Sequence, residues 1–366
     1  MRHFLFLQNR GINYRIQILA SLFPDQVEKM KPAVICDPGA DGSRNKAKLA
    51  VAWVEDEAQL GFYDKHMQFK KLEDCPLHAP AINQILPLLK QQICRYHLTP
   101  YDLVTRKGEL KYLLITYSES THELLVRFVL RSREALDRLK KLSVELMQHS
   151  MIKVVTANIQ PAHQAILERE EEIVLTETDC IAHHFDDYTL FQGPRSFFQT
   201  NTMMALALYR TFQKELGQLP ITSILDLYCG VGAFSFFASQ HCQQVLGVEI
   251  SNAAIEYAKK ARELNGQSDI EFLAMDVEDF LQTQQQAKID AVIVNPPRRG
   301  LNKNIIDHLL KMKPSYLFYS SCNAQTMQQD WLLLKDEYEI RSLQLFDMFP
   351  FTSHFETLVV LERSHY

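Results

Sequence analysis

The sequence predicts an α/β protein with a C-terminal Rossmann-like domain over residues 191–366 and a smaller, mixed α+β region before it. From about residue 221 onward, short segments rich in β-branched residues alternate with helical segments of about ten residues. This is the pattern of a parallel, doubly wound sheet. The last segment, "IRSLQLFDMFPFTSHFETLVVLER", is instead strand, loop and strand. We therefore expect an α/β sheet that ends in an antiparallel pair.

The elements of the C-terminal domain follow one another in a regular order. "SILDLYCGVGAFSFFASQH" predicts a strand, a glycine turn and a helix, and "QVLGVEIS" predicts the second strand. "NAAIEYAKKARELNG" predicts a helix that begins at Ser251 or Asn252 and stops at Gly266. Further strands are predicted in "IEFLAMD", "IDAVIVN" and "SYLFYSS", with helices in "VEDFLQTQQQ" and "NKNIIDHLLKM" between them.

The N-terminal part is less regular. "ELKYLLITYS" and "THELLVRFVLRS" predict a hairpin followed by a charged helix, and "KVVTANIQP" and "EEIVLTET" predict further strands. Gly193-Pro194 interrupts the pattern, and a helix is expected to begin near Asn201. The predicted organisation is a first region over residues 1–190, made of a segment near 1–76 and a central domain over about 77–190, and a second domain over 191–366.

The composition indicates a protein of the cytoplasm. Of the 366 residues, 46% are hydrophobic, and no run approaches the about 18 apolar residues that span a bilayer. The start, "MRHFLFLQNRG", has a short apolar patch followed by charges, which is not a secretory signal. The seven cysteines form no C-x-x-C pair, which is typical of reduced thiols. We expect no membrane association and no obligate protein partner.

The formal net charge of −5 is unevenly distributed. Residues 90–153 carry 12 basic and 7 acidic side chains, an excess of five positive charges. Such an excess favours an anion-binding surface on the N-terminal part. A solvated face of mixed charges explains the composition equally well.

The first strand of the C-terminal domain runs into a glycine turn, "LDLYCGVGAFS", with Gly230 and Gly232. Glycines there let the backbone approach a ligand, although a purely structural turn is the alternative. A dinucleotide fingerprint has a third glycine where this chain has Ser235. Glu249 ends the next strand, where it can accept bonds from both ribose hydroxyls, and Asp276 follows the third. Two acids above such a turn favour S-adenosylmethionine (SAM) over NAD.

Two further strand ends carry residues suited to chemistry. Asn295-Pro-Pro forms a rigid polar loop at the carboxyl edge of the sheet, where ligands bind in this architecture. Adenine-directed methyltransferases have an aromatic residue after such prolines, and Arg298 in its place counts against that reaction. Cys322 lies in the polar stretch "SSCN", and the acid Glu356 begins the last strand. The simpler interpretations are a buried structural cysteine and a solvated acid.

A cysteine, a carboxylate and a methyl donor together suggest methylation at carbon 5 of a uracil. That carbon is too weak a nucleophile to attack a sulfonium methyl group unaided. A thiolate that adds at carbon 6 turns the ring into an enolate, and a base must then remove the carbon 5 proton before the thiol can leave. Cys322 suits the first task and Glu356 the second. The uridine must also be flipped out of its RNA.

Several motifs resemble the RNA (uracil-5-)-methyltransferase family, and most closely its branch that acts on 23S ribosomal RNA: "SFFQTN", "DLYCGVGAFS", "VNPPRRG", "YSSCNAQT" and "DMFPFTSHFE". "RNKAK" and "RKGELKYLL" extend the likeness, so that it covers nearly everything from Asp41 onward. The resemblance implies a class I SAM-dependent methyltransferase domain, an N-terminal RNA-binding region, and methylation of 23S RNA at a target of the uridine 747 type. It also implies SAM contacts by Gln199, Tyr228, Glu249 and Asn295, a Cys322 nucleophile and a Glu356 base.

The chain departs from this branch in its cysteines. Members typically hold a [4Fe-4S] cluster on three cysteines near the N-terminus and one in a "CP" motif. Cys75-Pro76 matches the last of these, but residues 1–35 contain no cysteine. One thiolate cannot hold a cluster that needs about four ligands. We therefore predict that this chain binds no metal, or that its start is altered, and that the segment near 1–76 is the remnant of an iron–sulfur segment.

Three alternatives remain open. The same reaction on transfer RNA is barely separated from the ribosomal one by the site motifs. A non-catalytic RNA-binding protein of the same fold is disfavoured by Cys322 and Glu356, and a nicotinamide dehydrogenase by Ser235. For RNA, the sequence offers five basic candidates in its first part: Arg44, Lys46, Arg106, Lys107 and Lys111.

Overall fold

The computed structural model describes residues 11–35, 41–55, 57–162, 169–283 and 288–364. The chain divides into two compact units, each with its own sheet and hydrophobic core. The central unit comprises residues 41–184 and 191–194. The C-terminal unit comprises residues 185–190 and 195–366, together with the N-terminal residues up to 40.

The N-terminal segment folds onto the C-terminal unit, which the sequence did not predict. Its helix α1 (Ile12–Leu22) contributes Leu19 to the core of that unit, and Phe23 follows it there. Met30 forms a parallel bridge with Leu343. The division of the chain therefore differs from the single boundary expected at residue 190. The reason is that apolar side chains near the start of the chain are buried in a core formed by residues much later in the sequence.

The central unit is built on a seven-stranded sheet with two helices among its described residues. These elements are β1 (Lys46–Val54), β2 (Glu57–Tyr63), β3 (Phe69–Lys71), α2 (Pro80–Arg95), β4 (Leu110–Ser118), β5 (Glu123–Leu130), α3 (Leu136–Leu146), β6 (Ile152–Ile159) and β7 (Glu172–Val174). The strand order is β3-β2-β1-β4-β5-β6-β7. All neighbours are antiparallel except β5 and β6, which α3 connects as a parallel pair. The predicted hairpin is β4–β5.

Two short strands, β8 (Ile181–Phe185) and β9 (Tyr188–Gln192), pair as a separate sheet where the chain passes between the units. Helix α4 (Thr202–Leu216) follows, with Asn201 as its N-cap. The Asn201 side chain accepts a hydrogen bond from the Met204 amide at 3.1 Å. The helix therefore begins where the sequence predicted, because Asn is a favoured N-cap residue.

The C-terminal unit contains the predicted doubly wound sheet. Its elements after α4 are β10 (Ser223–Leu227), α5 (Ala233–Ala238), β11 (Gln244–Glu249), α6 (Asn252–Leu264), β12 (Ile270–Ala274), α7 (Val277–Thr283), β13 (Ala291–Val294), α8 (Lys303–Met312), β14 (Tyr316–Ser321), α9 (Ala324–Leu334), β15 (Tyr338–Phe346) and β16 (Glu356–Arg363).

The strand order of this sheet is β12-β11-β10-β13-β14-β16-β15. The first five strands are parallel, and β16 is antiparallel to both β14 and β15. The predicted fold class is confirmed, including the antiparallel end of the sheet. Within the described part of the chain, no helix has the length and apolar character needed to cross a membrane.

Candidate active site

Five of the predicted site residues lie at one edge of the C-terminal sheet. Tyr228 follows β10, Glu249 ends β11, Asn295 follows β13 and Cys322 follows β14. These four strands are parallel neighbours, so their carboxyl ends meet at the same edge. Glu356 joins them because β16 runs antiparallel to β14, which sets the first residue of β16 beside the last residues of β14.

Gln199 lies away from these strand ends along the chain, in the loop before α4. Its side chain is buried, and it stands two residues before the Asn201 cap. Its contact with SAM, which only the family resemblance implied, stays a prediction.

The two glycines of the turn have different surroundings. Gly230 and Gly232 both have positive φ values, 56° and 86°, which favour glycine. A Cβ atom on Gly230 would meet nothing within 4 Å, whereas one on Gly232 would lie 2.6 Å from the ring of Phe272. Gly232 is therefore required by packing. Gly230 leaves open space above the turn, which fits a bound cofactor.

Ser235, at the position of the missing third glycine, has a structural partner. Its hydroxyl donates a hydrogen bond to Asp226 Oδ2 at 2.6 Å, and both side chains are fully buried. Burial raises the pKa of Asp226 to about 7, against the opposing effect of the Ser235 hydrogen bond. The pair ties β10 to α5 across the glycine turn. Sequence reasoning missed Asp226, although an acid one residue before the end of this strand is a visible signal.

Glu249 braces the same turn. One carboxylate oxygen accepts a hydrogen bond from the Gly230 amide at 3.3 Å, and the other accepts one from the Ser251 amide at 2.9 Å.

Asp276 is exposed, and its Oδ1 accepts a hydrogen bond from the Glu278 amide at 2.8 Å, at the start of α7. Burial, with a smaller effect from Asp276, raises the pKa of Tyr228 to about 12.

Cys322 is half-buried and lines a cavity of about 390 Å³ in the C-terminal unit. Burial raises the pKa of its thiol, and the Glu356 carboxylate raises it further. The Arg298 side chain opposes both effects, through a hydrogen bond to the sulfur and through its charge. Arg298 is thus the cation that favours the thiolate, which is the nucleophilic form of a cysteine.

The loop that carries Arg298 is held against the residues after Cys322. The Arg298 carbonyl accepts hydrogen bonds from Asn323 Nδ2 at 2.9 Å and from Thr326 Oγ1 at 3.2 Å. Asp330 accepts from the Leu301 amide at 2.9 Å at the end of the same loop. The sequence pointed to Arg298 only as a departure from an adenine-directed motif, and its place beside a thiol on another strand had no local signal.

Glu356 is buried, with 1% of its surface exposed, at the first residue of β16. Its Oε1 accepts a hydrogen bond from the Ser320 hydroxyl at 2.8 Å. Burial raises the pKa of this carboxyl to about 8, and the Ser320 hydrogen bond lowers it in part. A carboxyl with such a pKa can exchange a proton near neutral pH. The alternative interpretation of Glu356 as a solvated acid is therefore wrong, and Ser320 is a further residue that the sequence did not reveal.

Cys75 does not lie in a metal-binding cluster of described residues. It is half-buried, and Asn83 holds its backbone by donating to the Cys75 carbonyl at 2.9 Å and accepting from its amide at 3.3 Å. Across the described ranges, no three His, Cys, Asp or Glu side chains are grouped so that they could hold an ion. Cys36 lies outside those ranges. The described residues do not fit an iron–sulfur cluster, and its absence stays a prediction.

The basic candidates for RNA differ in their exposure. Arg106 and Lys107 are exposed in a loop of the central unit. Lys111 is buried, its Nζ donates to the Ala162 carbonyl at 2.7 Å, and it lies 4.8 Å from the centre of the Tyr101 ring. Lys111 is therefore not available to a phosphate, although the sequence suggested that role.

The fold and this edge of the sheet define a class I methyltransferase domain. The chain belongs to the tRNA (Uracil-5-)-methyltransferase family, whose model matches residues 17–364. This confirms the family that the motifs predicted, and it makes the protein a methyltransferase.

Two groups of known proteins show the same relationship. The chain is 43% identical over 321 residues to the 23S rRNA (uracil(747)-C(5))-methyltransferase RlmC of Escherichia fergusonii, covering 87% of this chain and 85% of that protein. It is 42% identical to the RlmC of Salmonella typhimurium, covering 88% and 85%. In structure it resembles the tRNA (uracil-54, C5)-methyltransferase of Pyrococcus abyssi in complex with S-adenosyl-L-homocysteine, with a TM-score of 0.78, 25% identity, and coverage of 96% of this chain and 83% of that one.

Proposed function

We propose that this protein transfers the methyl group of SAM to carbon 5 of a uridine in 23S ribosomal RNA, in the cytoplasm. The observation that carries the proposal is the pairing of a cavity-lining thiol, Cys322, with a buried carboxyl, Glu356, and a cation, Arg298, at one sheet edge. Relatives at 42–43% identity that bear the RlmC name support the 23S substrate.

The cofactor site is assigned to the turn and strand ends beside this group. SAM, when bound there, supplies an electrophilic methyl group. The open space above Gly230 and the fixed carboxylate of Glu249 support this assignment. Gln199, Tyr228, Glu249 and Asn295 would hold the cofactor, and Glu249 is positioned by two backbone amides so that it can accept hydrogen bonds from a ribose.

Cys322 acts first, as the nucleophile. Its thiol loses a proton, and the sulfur forms a bond to carbon 6 of the flipped uracil, while the electrons of the carbon 5–carbon 6 double bond move toward the oxygen on carbon 4. Arg298 stabilises the thiolate that must form, against burial and the charge of Glu356. Carbon 5 of this adduct is then nucleophilic enough to take the methyl group.

Glu356 acts second, as the base. It takes the proton from carbon 5, the freed electron pair rebuilds the carbon 5–carbon 6 double bond, and the bond between carbon 6 and the Cys322 sulfur breaks. The order of steps suits the electrostatics. Once Cys322 is a neutral thioether, Glu356 no longer shares its surroundings with a thiolate, so its ionised form becomes easier to reach.

The same chemistry on transfer RNA is the second candidate. The family description and the name of the Pyrococcus abyssi structure both refer to tRNA. Mapping of 5-methyluridine after incubation of 23S RNA and of tRNA with the protein and labelled SAM separates the two. We expect the label in 23S RNA at a uridine of the 747 type. Label in tRNA alone would exclude the ribosomal substrate.

The roles of the two residues can be separated by trapping. Glu356→Gln keeps the shape of the side chain but cannot take the proton, so addition and methyl transfer proceed and release does not. We expect this variant to accumulate a methylated protein–RNA adduct that survives denaturing electrophoresis. Formation of the irreversible adduct should need SAM, since the adduct at carbon 6 can otherwise revert.

Cys322→Ala is the matched control. It should abolish turnover, and the Cys322→Ala, Glu356→Gln double variant should form no adduct. A Glu356→Gln enzyme that turns over normally would assign the base to another group. An adduct that persists without Cys322 would exclude this residue as the nucleophile.

A further inference from the structure

The cavity beside Cys322 has one wall that comes from the N-terminal segment. Tyr14, Ile18 and Leu22 of helix α1 line it. Residues four apart share one face of a helix. A single face of α1 therefore borders the same cavity as the Cys322 thiol, although α1 is distant in sequence from the strands of the sheet.

The neighbouring face of α1 fixes this wall to the C-terminal unit. Arg15 and Leu19 are buried, and Phe23 is buried just beyond the helix. Arg15 Nη1 lies 2.8 Å from Asp347 Oδ1, with 3% and 8% of the two side chains exposed. Helix α1 is thus held by a buried ion pair and by core contacts, so that Tyr14, Ile18 and Leu22 form a fixed part of the cavity.

The wall differs in chemistry from the rest of the cavity. The remaining lining is mainly polar, with Arg298, Asn323, Gln325, Ser353 and His354. Tyr14, at the N-terminal end of that helix face, is an aromatic side chain with 42% of its surface exposed. An exposed ring beside a polar, partly cationic site is the arrangement on which nucleobases stack in proteins that bind single-stranded RNA.

The target uracil is not the base that this ring can hold. Addition of the Cys322 sulfur at carbon 6 and methylation at carbon 5 both use the π orbitals, which project from the two faces of the ring. An aromatic side chain stacked on the target would cover one of these faces. A nucleotide next to the target has no such requirement, and flipping the target displaces its neighbours from their own stack.

We propose that Tyr14, supported by Ile18, stacks on the base of a nucleotide that flanks the target uridine. This proposal rests on the proposed function. Tyr14 would be a specificity-determining residue, because it selects RNA in which a base next to the target is free to leave its stack.

The test combines a protein variant with an RNA variant. With wild-type protein, Tyr14→Ala and Tyr14→Phe, we would measure kcat/KM for methylation of a target RNA and of versions that are abasic at each position flanking the target. Tyr14→Ala should lower kcat/KM for the intact RNA by about tenfold to a hundredfold, with KM for SAM and the thermal midpoint unchanged. Tyr14→Phe should behave like the wild type, because stacking needs only the ring.

The abasic RNAs identify the partner. One flanking abasic site should lower the wild-type rate by a similar factor, and Tyr14→Ala should add no further loss on that RNA. Val27→Ala, an exposed apolar side chain on the same segment but outside the cavity lining, should change nothing. An unchanged Tyr14→Ala enzyme, or a loss that persists on every abasic RNA, would overturn the proposal alone. A wild-type protein that methylates no RNA would overturn the proposed function and this inference with it.

Discussion

Burial raises the pKa of Glu356 into the range where the carboxyl can exchange a proton near neutral pH. It also makes the stability of the protein depend on pH. The folded-state pKa is about 8, above the ordinary value of about 4.3 for the unfolded chain. The folded state therefore binds this proton more tightly than the unfolded state. The contribution of this proton to the free energy of unfolding is fully present below the unfolded pKa and is lost as pH rises through 8.

Glu356→Gln should remove this dependence. Between pH 6 and pH 8 the wild type should lose about 2 kcal/mol of unfolding free energy through this residue, and the variant should not. Urea unfolding at several pH values measures the difference. Glu339→Gln, which removes an exposed acid from the neighbouring strand β15, should leave the pH dependence of the wild type in place. A Glu356→Gln variant with the same dependence would show that the carboxyl is ionised throughout this range.

Glu249 is the residue on which SAM affinity should depend most directly. Glu249→Ala removes a charged acceptor and also frees the Gly230 and Ser251 amides. We expect a loss of about 1.5–3 kcal/mol in SAM binding, with RNA binding nearly intact, as measured by calorimetry. Glu256→Ala on α6 is the control, because that acid is exposed and pairs with Lys259, away from the glycine turn. Unchanged SAM affinity in Glu249→Ala would remove this residue from the site.

At the scale of elements, helix α1 depends on one buried ion pair. Arg15→Met leaves Asp347 buried without its cation, and such a loss typically costs about 3–5 kcal/mol. We expect this decrease in urea unfolding free energy, and a partial recovery in the Arg15→Met, Asp347→Leu double variant. Arg341→Met breaks the exposed pair with Glu362 and should cost only about 0–1 kcal/mol. Equal costs for Arg15 and Arg341 would mean that α1 is not held by its ion pair.

The elements also show what could be predicted from sequence. Strand ends are local signals, so the alternation of strands and helices was enough to predict Glu249, Asn295 and Cys322 at one edge, whereas Tyr228 came only from the family resemblance. Arg298 beside Cys322, Ser320 beside Glu356 and α1 beside the cavity depend on contacts between distant segments. The pattern of a single segment does not contain those contacts. Ser235 showed only as a missing glycine, because its partner Asp226 is buried on another element.

At the scale of the molecule, part of the basic excess in residues 90–153 is neutralised within the central unit, by Glu171 and Glu172 outside that segment. Arg127 is fully buried against Glu172, Arg131 pairs with Glu109, and Arg133 pairs with Glu171. The five extra positive charges counted from the sequence therefore overstate the charge that faces a ligand. Exposed cations without such partners are the better candidates for phosphate contacts.

Arg106 and Lys107 meet this condition, since neither takes part in an ion pair among the described residues. They stand on a loop that Asp102 holds in shape: its Oδ1 accepts hydrogen bonds from the Val104 amide at 3.0 Å and the Thr105 amide at 2.6 Å. A loop fixed in this way presents two cations without a large loss of entropy on binding. We therefore expect both to contact phosphates of the RNA.

The Arg106→Ala, Lys107→Ala double variant should weaken RNA binding uniformly across sequences and leave SAM binding unchanged. Because each phosphate contact releases a counterion, the slope of log K against log salt should become shallower by about 2. Filter binding or fluorescence anisotropy over a range of salt concentrations measures the slope. Lys140→Ala, Lys141→Ala on α3 is the matched control, with the same charge removed from an exposed helix, and its slope should stay at the wild-type value. If both pairs shift the slope equally, the charge of the central unit acts as a diffuse field and the loop makes no specific contact.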